Sequence, residues 1–149
     1  MGCEITREGL ECIDILGSYR NIQIRSAYLN LFTKTIDTKH LIDNSAIFTS
    51  QVLMYLKKVD SNLVNFIASL NPSIVIFIEP TTEYLPDSIY KDLAAKYMFT
   101  NAYHDNTMSS IISNFEKLKD WEMVILRKNF YSLNPFLPLS LLVYRRVTK

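Results

Sequence analysis

Glycine is scarce in this chain. Its 149 residues include only three, Gly2, Gly9 and Gly17, where average usage of near 7% would place about ten. No glycine-rich phosphate-binding loop can be built from them. Cysteine is scarce too. Cys3 and Cys12 stand near one end without partners at metal-ligand spacing, which excludes a disulfide framework and a zinc site of ordinary pattern and points to a cytoplasmic chain. A charge of one sign is also missing. With 16 Lys+Arg against 15 Asp+Glu and a formal net charge of +1, the chain lacks the basic footprint of a protein that coats nucleic acid or an anionic bilayer. No apolar run in the sequence approaches the roughly 20 residues that span a membrane. The first residues lack the basic-then-apolar order of a signal peptide.

What is present is apolar. At 48% hydrophobic the chain has enough material for a buried core, and its length suits one domain, residues 1–149. Ser73-Ile74-Val75-Ile76-Phe77-Ile78-Glu79 is a continuous β-branched and aromatic run between Pro72 and Pro80. Without polar alternation it reads as a strand covered on both faces. Before it, Leu63, Phe66, Ile67 and Leu70 recur at helical spacing behind Ser61 as cap. Further upstream, residues 46–49 read as a short strand and 52–58 as the start of a helical segment. Residues 2–5 read as a strand leading through Thr6 into a helix with Leu10, Ile13 and Leu16 on its apolar side, closed by Gly17. Residues 22–27 read as another strand.

After Pro80 the pattern turns helical. Asp87 can cap a helix whose face is Ile89, Tyr90, Leu93 and Tyr97, and a second helix aligns Met108, Ile111, Ile112, Phe115 and Leu118. Residues 121–126 and 141–144 then form two strands around a loop at 129–138 that is too short for a helical crossover, so these strands are expected to pair antiparallel. Alternating strands and helices predict an α/β layer fold.

This order, with the segment Gly2-Cys3-Glu4-Ile5-Thr6, the phrase Ser50-Gln51-Val52-Leu53-Met54-Tyr55-Leu56, the strand 74–80 and the hairpin 121–146, resembles the later part of a class I S-adenosylmethionine-dependent methyltransferase. The resemblance covers essentially the whole chain and begins at the family's second strand. It implies a Rossmann-like α/β sheet, mostly parallel with an antiparallel C-terminal hairpin and truncated at its N-terminal side, with a helical insertion at about 81–119. The family's first strand and its glycine-rich turn, which approaches the methionine part of the cofactor, have no counterpart here. The resemblance also implies S-adenosylmethionine as cofactor. The implied activity is methyl transfer to an oxygen or nitrogen of a small molecule.

Site residues follow from the same alignment. Glu4, with Ile5 beside it, falls where the family's acid holds the cofactor ribose; a carboxylate at a strand end can accept two hydrogen bonds from a diol. It can equally be a solvated surface glutamate. Tyr28 stands where an acid often contacts adenine. Thr49, Ser50 and Gln51 close a parallel strand at its carboxyl end, where open α/β sheets place ligands; small polar residues also simply end strands. Glu79 can orient a substrate hydroxyl or act as base, because a desolvated carboxyl titrates nearer neutrality, or it can serve as a salt-bridge partner. His104 is a second candidate base, with the alternative of a surface residue or helix cap. Tyr84, Tyr97, Asn101, Tyr103 and Asn106 are candidates for the substrate lid.

Several other readings are excluded or set to one side. Neither His104 nor His40 pairs with a nucleophile in a hydrolase spacing. Asp37, Asp43 and Asp105 are too scattered for a metal site. Met1-Gly2-Cys3-Glu4-Ile5-Thr6 also fits the short N-myristoylation pattern, with Cys3 open to palmitoylation, although core strand residues there would leave no free tail. The basic clusters Arg127-Lys128 and Arg145-Arg146-Val147-Thr148-Lys149 lack interleaved aromatics for nucleic acid and suit strand ends kept soluble. From a different class of function, the chain can be a non-catalytic methyltransferase-like subunit: without its first strand the sheet has an unpaired edge, and a second chain can complete it.

Overall fold

The computed structural model describes residues 1–37 and 45–147; His40, Asp43, Thr148 and Lys149 lie outside the described residues. The chain divides into two compact units, Met1–Ile42 and Asp43–Lys149.

In the first unit, β1 (Gly2–Glu4) leads into α1 (Arg7–Arg20), then β2 (Ser26–Asn30) and β3 (Thr35–Ile36), with strand order β1-β2-β3. Thr6 caps α1 as expected, its hydroxyl accepting the Gly9 N–H at 3.0 Å. Gly17 does not end the helix. The chain continues to Arg20 and closes on Asn21, a left-handed residue at φ 51° whose N–H reaches the Gly17 and Ser18 carbonyls. Gly17 is instead a point of close approach: a Cβ there would stand 3.2 Å from the Ile22 carbonyl oxygen. The same closure takes up Ile22, whose N–H donates to the Gly17 carbonyl at 2.9 Å. The second strand therefore begins at Ser26 rather than Ile22. β1 and β2 are parallel, pairing Gly2 with Ser26, Cys3 with Ala27 and Glu4 with Tyr28. Gly2 and Cys3, the residues of the acylation pattern, are both in this ladder.

In the second unit, β4 (Ala46–Ser50), a 3-10 turn (Leu53–Tyr55), α2 (Ser61–Ser69), β5 (Ile74–Pro80), α3 (Ile89–Thr100), α4 (Thr107–Phe115), β6 (Trp121–Tyr131) and β7 (Leu139–Arg146) follow one another. The sheet order is β4-β5-β7-β6. β4 and β5 are parallel, whereas β7 runs antiparallel to both β5 and β6. The last strand thus inserts between its two predecessors, and the expected antiparallel hairpin is present with longer strands. β6 extends to Tyr131 past register shifts between Met123 and Ile125 and between Arg127 and Tyr131.

One face of this sheet carries the core. Val75 and Phe77 on β5 and Leu142 on β7 are fully buried, with Met108, Ile111 and Phe115 of α4. The Phe115 ring stacks on Tyr144 at 4.2 Å between centroids and meets Phe77 and Trp121 edge-on at 5.8 and 5.4 Å. Met108, Ile111 and Phe115 of the expected α4 stripe are buried and Ile112 is half-buried, whereas Leu118 lies beyond the helix, which ends at Phe115.

Three local expectations change. Helical structure over 52–58 is limited to the single 3-10 turn, entered through Gln51 at φ 55° and left through an extended Leu56. Asp60, not Ser61, caps α2, accepting the Leu63 N–H at 3.0 Å. Ser88 caps α3 through the Lys91 N–H, while Asp87 pairs with the Lys91 ammonium. The buried face of α3 is Ala94 and Met98, and Ile89 is 78% exposed. The small Ala94 lets α3 approach closely, and flexible Met98 fills the gap against Met54 and Leu137.

Candidate functional site

The predicted site residues of the second unit lie at the carboxyl ends of β4 and β5 or on the segments that follow them. At the centre is Glu79, fully buried at the end of β5. Its Oε2 accepts the Val52 N–H at 3.0 Å and the Leu53 N–H at 3.1 Å. A β5 carboxylate therefore holds the turn that follows β4, supplying acceptors for amides at the start of a helical turn. Burial pushes the Glu79 carboxyl up to about 7, against the opposing pull of Thr49 and the Val52, Leu53 and Met54 amides. The Thr49 hydroxyl is near enough to favour the ionised carboxyl, yet Oγ1 is buried and makes no hydrogen bond of full geometry. Ser50 and Gln51 are exposed.

The turn is held from a second side by the segment after α3. The His104 N–H donates to the Met54 carbonyl at 2.7 Å, and the His104 Nε2 is buried without a hydrogen-bond partner. Asp105 next to it accepts the Thr82 N–H at 2.7 Å and the Thr82 hydroxyl at 2.5 Å. Glu83 accepts the Ser109 N–H and hydroxyl at 3.1 and 2.6 Å. The loop after β5 and the entry to α4 are thereby tied together.

Four aromatic rings line the same region. Tyr55 meets Tyr103 edge-on at 5.3 Å, Tyr103 meets Tyr97 at 6.4 Å, and Tyr97 stacks on Phe136 at 5.6 Å. Tyr97 and Tyr103 pack over Met54, Met98 and Leu137, and Tyr55 is exposed to solvent. Burial, then the neighbouring Tyr55, raises the Tyr103 phenol above its ordinary value. Tyr97 and Tyr103 are thus brought together as substrate-side candidates. Asn101 is not with them: it closes α3, its side chain donating to the Tyr97 carbonyl at 2.8 Å. Asn106 is exposed at the start of α4. Tyr84 lies under Lys128, 4.8 Å from the ammonium to the ring centroid, and its carbonyl accepts from Asn129.

In the first unit, Glu4 ends β1 and is the direct register partner of Tyr28, the middle residue of the parallel strand β2. Glu4 Oε1 accepts the Ile5 N–H at 2.6 Å and the Thr6 N–H at 3.2 Å. Glu4 Cγ would stand 2.1 Å from a Cβ placed on Gly9. Gly9 is therefore the clearance in which the Glu4 side chain lies.

Sequence reasoning did not single out Tyr55, Thr82 or Phe136, and set Asp105 aside as a scattered acid. Asp105 and Thr82 meet across 23 positions and Tyr97 and Phe136 across 39, so neither contact leaves a local spacing to read. Among the described residues no group of three or more His, Cys, Asp or Glu is placed to hold a metal ion, and no helix is long and apolar enough to cross a membrane.

The fold has known counterparts. The chain superimposes on magnesium protoporphyrin IX methyltransferase of Synechocystis PCC 6803 with bound S-adenosylhomocysteine at a TM-score of 0.64 and 12% identity, over 97% of this chain and 63% of that one. Geranyl diphosphate C-methyltransferase of Streptomyces coelicolor A3(2) gives 0.61 and 10% identity, over 98% of this chain and 64% of that one. A small RNA methyltransferase gives 0.62 and 12% identity, over 99% of this chain and 20% of that one. The chain thus spans less than two thirds of each of these structures. Its fold is the Rossmann-like fold of the class I S-adenosylmethionine-dependent methyltransferases. No protein-family model matches the sequence, and neither does any curated protein.

Proposed function

We propose that the chain is methyltransferase machinery: it takes S-adenosylmethionine and directs its methyl group to an oxygen or nitrogen of a small molecule. The observation that carries this reading is the β4-β5-β7-β6 order with β7 reversed, the arrangement on which the neighbouring methyltransferases superimpose. When bound, the cofactor supplies a methyl group on a sulfonium, and in-line transfer from it requires chiefly proximity and alignment.

The residues fit one part of that cofactor. Glu4 beside Tyr28 offers a carboxylate at the end of β1 and an aromatic ring on the adjacent strand, the chemistry that holds a ribose diol and a base. Ile5 borders them. The methionine part has no glycine turn in this chain, since none of the three glycines has a positive φ. In the second unit, Thr49, Ser50 and Gln51 supply hydroxyl and amide groups at the end of β4. Tyr84, Tyr97, Tyr103, Asn101 and Asn106 are assigned to the acceptor side, with Tyr97 and Tyr103 forming its aromatic wall. Of the two proton-handling candidates, His104 keeps a ring nitrogen without a partner and is assigned the acceptor's proton. Glu79, turned to the Val52 and Leu53 amides, is assigned to holding the turn.

Isothermal titration of the folded chain with S-adenosylhomocysteine tests this. Micromolar binding that Glu4→Ala weakens supports it; no heat of binding from a chain shown to be folded overturns it for the chain by itself. The acceptor is read as a small molecule from the aromatic wall and the balanced charge. A neighbour of the same fold acts on small RNA, so an RNA oligomer belongs among the acceptors assayed.

A second reading, an interaction subunit completed by another chain, has one observation in its favour. β4 has no strand on its far side among the described residues. The Ser45 carbonyl and the Gln51 N–H both bond to the β5 segment, so by alternation Ala46, Phe48 and Ser50 turn their backbone groups to the open edge. Phe48 shares its face with Ile76 and Val143 by register, opposite the face that α4 covers, and is 69% exposed. Light scattering over a concentration series separates the two readings: a monomer that binds S-adenosylhomocysteine sets the second aside.

A further inference from the structure

We propose that Glu79 and Thr49 form a proton-operated latch on the turn at residues 52–55, closed when the Glu79 carboxyl is ionised and loosened when it takes up one proton from water. The latch belongs to the fold and stands whether or not the proposed methyl transfer does.

Two amides, from Val52 and Leu53, meet on one oxygen of a fully buried carboxyl. To an ionised acceptor these are charge-assisted bonds, roughly twice as strong as bonds to a neutral one. Oε1 receives a long 3.4 Å contact from Val52, against the two shorter bonds on Oε2. It is therefore the atom on which a proton can reside without displacing either amide.

Thr49 supplies the complementary group. Its hydroxyl is buried beside the carboxyl without a full hydrogen bond to any partner, and a buried unpaired hydroxyl in a native fold calls for an explanation. A hydroxyl can donate or accept. It can donate to the carboxylate in the closed state and accept the Oε1–H in the loosened state. One proton is taken up on Oε1, the Thr49 hydroxyl turns from donor to acceptor, and both amides stay on Oε2.

The surroundings leave this titration to the pair. Facing Glu79 are Thr49 from β4, the Val52, Leu53 and Met54 amides from the turn, and Ser140 as its register partner on β7. All of these are uncharged. His104 is joined to the turn through the Met54 carbonyl and Asp105 to the loop after β5 through Thr82, and no charge interaction contributes to the raised value of Glu79. The value of about 7 places both states within the physiological range. What the latch moves is the wall of the candidate site, because the turn carries Tyr55 against Tyr103 and offers the Met54 carbonyl to His104.

The test uses the whole chain without ligand. Carbon NMR of the side-chain carboxyls in the unmodified protein should show Glu79 titrating near neutrality; titration in the ordinary glutamate range overturns the proposal even if no variant folds. Amide hydrogen exchange of Val52 and Leu53, corrected for intrinsic rates and followed where the turn opens locally with Glu79 still buried, should show protection rising about tenfold between pH 6 and pH 8, the ratio expected from gaining a charge-assisted bond and opposite in sign to the change in global stability. Glu79→Gln should hold protection flat across that range. Thr49→Val removes a donor to the ionised form and should move the midpoint upward. A midpoint that does not respond to Thr49→Val excludes the threonine from the latch, and pH-independent protection in the unmodified chain excludes the latch itself.

Discussion

Asp105 takes both the N–H and the hydroxyl of Thr82, at 2.7 and 2.5 Å, and so fastens the segment after α3 to the loop after β5. Thr82 is buried, and its amide donates to Asp105. Asp105→Ala leaves that donor unsatisfied, which costs about 1–3 kcal/mol for a buried polar group. Chemical denaturation should show a loss in that range. Asp105→Asn, which keeps one acceptor, should lose less, and equal losses would mean that the carboxylate acts through its charge alone.

Gly9 gives a way to move Glu4 without removing it. An alanine there would force the Glu4 side chain out of the space it occupies, because a Cβ would meet Glu4 Cγ at 2.1 Å. The same Cβ would stand 2.8 Å from the Thr6 cap hydroxyl, but helix propensity favours the change by about 1 kcal/mol, so α1 is expected to survive. Gly9→Ala should then weaken S-adenosylhomocysteine binding about as much as Glu4→Ala, by tenfold or more, with circular dichroism unchanged. The double variant should be no worse than either single one. Unaltered affinity in Gly9→Ala would show that the position of Glu4 beside Tyr28 is not what the ligand reads.

What the sequence made legible follows how local each signal is. The run at 74–79 could only be an interior strand, and the α4 stripe of Met108, Ile111 and Phe115 is a full helical face; both are where the pattern put them. Thr6 as a cap needed only its own first turn. The α3 face went to the wrong side because burial there is chosen by Met54 and Leu137, far along the chain, and the selected residues, Ala94 and Met98, are less hydrophobic than the Ile89 and Leu93 left outside. The start of β2 was misplaced because the closure of α1 on Asn21 draws in Ile22. In the candidate site, Glu79 and Thr49 were marked by their strand-end positions. That a β5 carboxylate would hold the turn after β4, and that Asp105 would reach Thr82, depends on contacts over more than twenty positions.

Glu79 also makes stability depend on pH, with a definite sign. Its folded value is about 7 against an ordinary 4.5, so between these values the native state retains a proton that the unfolded chain has released. Stability therefore falls as pH rises through this window and levels off above it. The interval corresponds to an upper bound of about 3 kcal/mol. Urea midpoints should fall between pH 5 and pH 8 in the unmodified chain by more than in Glu79→Gln, which has no carboxyl to ionise. Parallel pH profiles for the two proteins would show that Glu79 titrates alike in the folded and unfolded states.

Phe48 and Phe77 are adjacent-strand neighbours on opposite faces of one sheet, and they should respond oppositely to truncation. Phe77 is fully buried against Phe115, and Phe77→Ala removes a core ring at about 3–5 kcal/mol. Phe48 is 69% exposed on the open edge strand. Phe48→Thr keeps a β-branched residue suited to a strand, and a surface substitution of this kind changes stability by about 0.5 kcal/mol or less. Denaturation of the two variants of the isolated chain should therefore differ several-fold in their effect. A loss of 2 kcal/mol or more from Phe48→Thr would mean that this face is covered in solution. If that loss grew with protein concentration, the cover would be a second copy of the chain, because only an intermolecular contact makes stability depend on concentration.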